Sequence, residues 1–175
     1  MDNVFQVGDF DDGMLIGLIP DFTEQIEKQR DLQNGHIDLW ITSNGGDWYM
    51  FRHLFELVEI AKREGVVVRT VVPAKAYSAG SMLAITGTPG HRYIGKGAEH
   101  LVHYGYISTG ESTPMQTTRT GEWKDSAWKQ IVKHYNDYCN IPDLTEHLKD
   151  DWFIIPAAKC KTWGLADQYV DKLEF

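Results

Sequence analysis

An α/β domain assembled from βαβ units is what this sequence predicts, and three consecutive segments predict it. His36-Ile37-Asp38-Leu39-Trp40-Ile41 is a near-continuous apolar strand that breaks at once into Thr42-Ser43-Asn44-Gly45-Gly46. Tyr49 to Glu64 then places Met50, Leu54, Leu57, Val58 and Ala61 at helical spacing and stops at Gly65. Val66 to Val72 is rich in β-branched residues and too short for a helix, so it reads as a buried parallel strand. Strand, crossover helix and strand make one unit.

The flanking segments extend this pattern. Val4 to Val7 and Met14 to Ile19 are short apolar segments on either side of a Gly- and Asp-rich turn from Gly8 to Gly13, so the chain starts on a strand or close to one. Asp21 to Gln33 carries Phe22, Ile26 and Leu32 among charged residues, which predicts an amphipathic helix stopped at Asn34-Gly35. After Pro73 the small residues Ala74, Ala76, Ser78, Ala79, Gly80 and Ser81 lead into a helix running to Ile85. Strands are expected around Arg92 to Ile94 and Leu101 to Tyr104, then a polar loop to about Gly121. Helices are expected over Trp123 to Tyr138, Leu144 to Lys149 and Pro156 to Trp163, and a last strand over Gln168 to Val170. No repeat and no linker divides the chain, so residues 1–175 read as a single domain.

Composition narrows the function classes. A hydrophobic fraction of 42% and an aromatic fraction of 12% are those of a folded globular chain. A net charge of -8 and a pI near 5.3 argue against nucleic acid, whose affinity rests on Lys and Arg displacing counterions. There is no apolar run approaching the roughly 18 residues a membrane span needs, and no signal-peptide pattern at the amino terminus. Cys139 and Cys160 stand in no metal-ligand spacing and make no disulfide framework, which suits a reducing, cytoplasmic setting.

Two short segments carry candidate chemistry. A serine hydroxyl is a weak nucleophile until a neighbouring base takes its proton, so it needs a turn where an imidazole can reach it. Ser78, at the junction of a buried strand and a helix, has such a place. On this segment alone, Ser78 and Ser81 read equally well as small packing or capping residues. Asn44-Gly45-Gly46 offers backbone N–H donors to a bound acyl group, although a Gly-Gly pair is more often a plain turn. His100 and His103 would face opposite sides of a strand and have no evident third ligand, so no metal site is expected. His36, His53, His91, His134 and His147 read as surface or core residues.

Taken together, these segments resemble the Clp protease proteolytic subunits and their phage-type relatives. The family has a strand ending in Asn-Ser-Pro-Gly-Gly, and Thr42-Ser43-Asn44-Gly45-Gly46 stands in its place. Its Ala-Ala-Ser-Met-Gly-Ala motif, with the serine as nucleophile, aligns with Ala76-Tyr77-Ser78-Ala79-Gly80-Ser81. Its base follows 25 positions later in Met-Ile-His, and Leu101-Val102-His103 ends 25 positions after Ser78. Its acid precedes Arg-Phe and a helix ending in Gly-Leu-Val-Asp. Here Asp151-Trp152-Phe153 fits that place, with Gly164-Leu165-Ala166-Asp167 behind it. The intervening stretch is one residue longer than the family's, which keeps Asp150 as the alternative acid.

The resemblance implies a crotonase-like fold of repeated βαβ units with a C-terminal helical handle region. It implies a serine endopeptidase with the triad Ser78, His103 and Asp151, an oxyanion hole of the Gly46 and Ala79 backbone N–H groups, and no cofactor. It implies a homo-oligomeric ring acting on peptide or unfolded protein. An AAA+ unfoldase is a partner in the family, but few residues precede the first strand here, which argues against that contact unless another surface or a partner subunit supplies it. Ser108 to Trp128, in the place of the handle, is poor in apolar periodicity, which argues against the usual double ring. Two competing readings keep the fold: a catalytically silent subunit or phage assembly component, and a crotonase-type enzyme acting on acyl-CoA thioesters.

Overall fold

The computed structural model describes residues 3–105, 114–148 and 152–170. Strand β1 (Val4–Val7) leads into helix α1 (Asp12–Arg30), strand β2 (His36–Ile41), helix α2 (Trp48–Arg63) and strand β3 (Val67–Val72). These and strands β5 (Arg92–Ile94) and β8 (Gln168–Tyr169) form a five-stranded sheet in the order β1-β2-β3-β5-β8, with every neighbouring pair parallel. Parallel strands need crossovers, and α1 and α2 supply the first two. The mixed α/β architecture with a parallel sheet and crossover helices is the one that the sequence leads one to expect.

The α2 crossover shows how sequence makes the unit. Asp47 caps the helix, its carboxylate accepting from the N–H groups of Tyr49 at 2.7 Å and Met50 at 3.0 Å. Phe51, Leu54, Leu57, Val58 and Ala61 form its buried stripe. They pack on a core that includes Ile37, Leu39 and Ile41 of β2 and Val68 and Val72 of β3. Asp38, buried on β2, is paired across the sheet with Arg69 of β3, its register partner. A buried carboxylate without that guanidinium would be costly.

A second sheet, in the order β4-β6-β7, packs beside the first. It joins β4 (Lys75–Tyr77) parallel to β6 (Glu99–Val102), and β6 antiparallel to β7 (Phe153–Pro156). An isolated bridge between Ser43 and Ala76 links the end of β2 to this sheet. Helix α3 (Ala79–Ala84) follows β4 directly. The C-terminal helical region consists of α4 (Pro114–Tyr138), α5 (Leu144–His147) and α6 (Ala157–Trp163).

Several sequence expectations are corrected here. The helix expected from Asp21 begins earlier, at Asp12, and takes in the apolar segment Met14 to Ile19, because Leu18, Phe22 and Ile26 continue one buried face at a spacing of four. The polar loop expected up to Gly121 is helical from Pro114, a residue whose missing N–H costs nothing at a helix start. The strand expected at Leu101 to Tyr104 begins and ends two residues earlier, leaving His103 just beyond it. Strands β4 and β7 were not expected at all.

Candidate active site

Ser78 sits between β4 and α3 with φ 53° and ψ -121°, a backbone conformation that L-residues avoid. Such a residue costs about 1–3 kcal/mol and persists only where its surroundings hold it. Here they do: the Ser78 N–H donates to the Leu101 carbonyl of β6 at 2.8 Å, and its carbonyl accepts from Met82 at 3.0 Å. The turn throws the hydroxyl out of the helix toward the end of β6. Its Oγ lies 2.8 Å from Nε2 of His103, and both residues are half-buried.

Nδ1 of His103 accepts a longer bond, 3.3 Å, from the Gly105 N–H. That contact belongs to the tautomer with the proton on Nε2. A base acting on Ser78 needs the proton on Nδ1 instead, which a carboxylate beside Nδ1 selects. Asp150 and Asp151 lie outside the described residues. Trp152, which follows them, brings its ring centroid to 6.2 Å from that of His103 and is largely exposed.

The glycine turn after β2 packs against Ser78. Gly45 has φ +105°, and a Cβ there would come within 2.6 Å of the Ser78 Cβ, so nothing larger than glycine fits. Gly46 has φ +138°, and a Cβ there would meet the Phe10 carbonyl at 2.4 Å. The bonds that fix the turn use the N–H groups of Asn44, Gly45 and Asp47, which donate to Asp9, Ser43 Oγ and the Phe10 carbonyl. The Gly46 N–H takes part in none of these. Ala79 is the first residue of α3, where N–H groups have no intrahelical acceptor.

Ser81 and His100, the neighbouring pair of the same types, meet elsewhere. Ser81 Oγ is 2.9 Å from His100 Nδ1, both are buried, and burial pushes the His100 imidazole down to about 3. Among the described residues no three His, Cys, Asp or Glu side chains cluster as metal ligands. His134 is buried against Phe51 and Phe55, with Nε2 donating to the Met82 carbonyl at 2.9 Å. Sequence reading did not single out Asp9 or the Lys75–Asn44 contact beside it; the only signal was the Asp-rich turn.

A sequence profile of the Clp protease family matches residues 24–172. The chain belongs to the Clp protease family. It is 25% identical over 141 residues to the ATP-dependent Clp protease proteolytic subunit of Deinococcus radiodurans. That alignment takes in 78% of this chain and 65% of the relative, so the chain spans about two thirds of the relative's length or slightly less. Among the described residues no helix is long and apolar enough to cross a membrane.

Proposed function

We propose that this chain is a serine endopeptidase working through an acyl-enzyme on Ser78, with residues 1–175 as one catalytic domain. The observation that carries the reading is the 2.8 Å approach of Ser78 Oγ to His103 Nε2, on a residue held in a strained turn between strand and helix. A hydroxyl held for packing has no need of that backbone cost, whereas a nucleophile must project from its helix.

In this reading His103 takes the Ser78 proton as the oxygen attacks a peptide carbonyl, then delivers it to the departing amine. The N–H groups of Gly46 and Ala79 receive the developing oxyanion. Water, activated by the same imidazole, releases the acyl group and restores Ser78. Asp151, with Asp150 as the alternative, holds the Nδ1–H tautomer and offsets the charge on the imidazolium. The substrate is peptide or unfolded protein and the working form a homo-oligomeric ring, as the family relation supports. The two cysteines are free thiols, which supports a cytoplasmic setting.

A fluorophosphonate probe tests this. Wild-type protein is expected to label and Ser78→Ala to remain unlabelled. Wild type that stays unlabelled under conditions where a known serine peptidase reacts would overturn the reading in favour of a silent subunit. Labelling that survives Ser78→Ala but disappears in Ser81→Ala would move the nucleophile.

A further inference from the structure

The glycine turn is held from outside by a carboxylate that the proposed chemistry never touches. Asp9 lies in the loop between β1 and α1, and its side chain reaches across to the end of β2. Its Oδ1 accepts from the Asn44 backbone N–H at 2.6 Å, and its Oδ2 from the Asn44 side-chain amide at 3.1 Å. Ser43 Oγ donates to Oδ1 at 3.4 Å and itself accepts the Gly45 N–H at 3.0 Å. On the other side, Lys75 Nζ donates to Asn44 Oδ1 at 2.6 Å. Asn44 is therefore gripped at its backbone N–H and at both ends of its amide.

The same loop also grips by its backbone. The Phe10 N–H donates to the Gly45 carbonyl at 2.8 Å, and the Phe10 carbonyl accepts from Asp47 at 2.9 Å. Gly45 and Gly46 have a backbone freedom that no side chain limits, so the direction of the Gly46 N–H is set by its neighbours. Hydrogen bonds from the N–H groups to a charged acceptor are among the stronger restraints available at a surface. Burial works to raise the Asp9 carboxyl, but the bonds from Asn44 and Ser43, with Lys75 nearby, leave it below the ordinary carboxylate value. The ionised form is the one these donors favour.

We infer that Asp9 is a positioning residue: by holding Asn44 it orients the Gly46 N–H toward the carbonyl that Ser78 attacks. The inference rests on the serine-peptidase reading for its consequence, but not for its geometry. Two measurements keep the two apart. In the first, turnover of a fluorogenic peptide is compared for wild type, Asp9→Asn and Asp9→Ala. Misplacing one oxyanion donor lowers kcat by about 10- to 100-fold, with KM changed less than about threefold. Asp9→Asn, which keeps one acceptor oxygen for the Asn44 N–H, is expected between the two.

In the second, backbone amide exchange is followed in a Ser78→Ala background, where activity plays no part. Asp9→Ala is expected to speed exchange in residues 43–47 by about tenfold or more, while β2 and α2 keep their protection. Unchanged exchange at 43–47 overturns the inference, whatever the enzyme does. So does faster exchange with kcat unchanged, or a loss of kcat matched by loosening of the whole fold. A wild type without any turnover, together with local loosening in Asp9→Ala, would sink the peptidase reading and the catalytic role of Asp9 while leaving the restraint itself standing.

Discussion

Two serine–histidine pairs lie within one helical turn of each other in this molecule. Ser78 and His103 are 2.8 Å apart, Ser81 and His100 2.9 Å apart, and both pairs join the α3 segment to the β6 segment. The outer pair is half-buried, with its serine at φ 53° just before the helix starts. The inner pair is buried, with its serine inside the helix and an imidazole that burial pushes down to about 3. Such an imidazole takes up no proton near neutral pH, and no substrate reaches its serine. A short hydrogen bond between the right residue types therefore does not make a nucleophile; access and a backbone that projects the hydroxyl do. The inner pair instead pins the helix that carries the outer one.

The strongest way to break this contrast is to delete each hydroxyl in turn. Ser78→Ala is expected to lower kcat by about 10⁴-fold or more, the scale on which serine nucleophiles fail when removed. Ser81→Ala should lower it by less than about tenfold. Peptide turnover under saturating substrate reads both, and comparable losses in the two variants would erase the distinction.

The next effect separates the pairs by what supports them. The outer pair leans on the glycine turn, so Gly45→Ala drives a Cβ to within 2.6 Å of the Ser78 Cβ and places alanine at φ +105°. A loss of about 10²-fold in kcat, with stability reduced by about 1–3 kcal/mol, is expected. Thermal unfolding alongside turnover checks this; full activity in Gly45→Ala would mean that the turn yields freely and does not set the site.

What could be read from sequence divides along similar lines. The β2-α2-β3 unit was legible because its periods differ sharply and its ends carry Gly46, Asp47 and Gly65. The second sheet was not. Lys75-Ala76-Tyr77 is three residues with one buried position, and β7 exposes Ile154 and ends in Pro156, so neither shows an alternation of its own. Both are strands because β6 lies beside them. Ser78 and His103 stood out through motif and spacing. Asp9 did not, since a carboxylate in a Gly- and Asp-rich turn looks like any other, and its partner is 35 positions away. The acid proposed to orient His103 was legible only as Asp151 or Asp150, both outside the described residues.

Acid pH sharpens the comparison from the inner side. His100 in the unfolded chain titrates near 6.5 but in the folded chain only near 3. Between those values the unfolded chain binds a proton that the folded chain refuses, so stability falls as pH drops. The contribution is fully present above 6.5 and declines below it by about 1.4 kcal/mol per pH unit. His134, whose imidazole burial also lowers, adds in the same direction. Urea unfolding at pH 7.5 and 5.0 should show wild type losing about 2 kcal/mol. His100→Asn should be less stable at pH 7.5 but visibly flatter, and an equal slope in the two proteins would show that His100 is not the group responsible.

The smallest effect is the most direct test of what the inner pair does. If Ser81 serves only to satisfy His100, its removal leaves a buried imidazole nitrogen without its partner and a small void. That combination costs about 1–3 kcal/mol. Ser81→Ala should therefore lower the unfolding midpoint while leaving fluorophosphonate labelling of Ser78 intact at a temperature where both proteins are folded. Ser81→Thr keeps the hydroxyl but adds a methyl group where the serine has 0% exposure, so it exchanges a lost bond for overpacking. The two variants are expected to be similarly destabilised for different reasons. A Ser81→Ala protein with wild-type stability would remove the inner pair's role as a pin and leave packing around α3 to hold Ser78 in place.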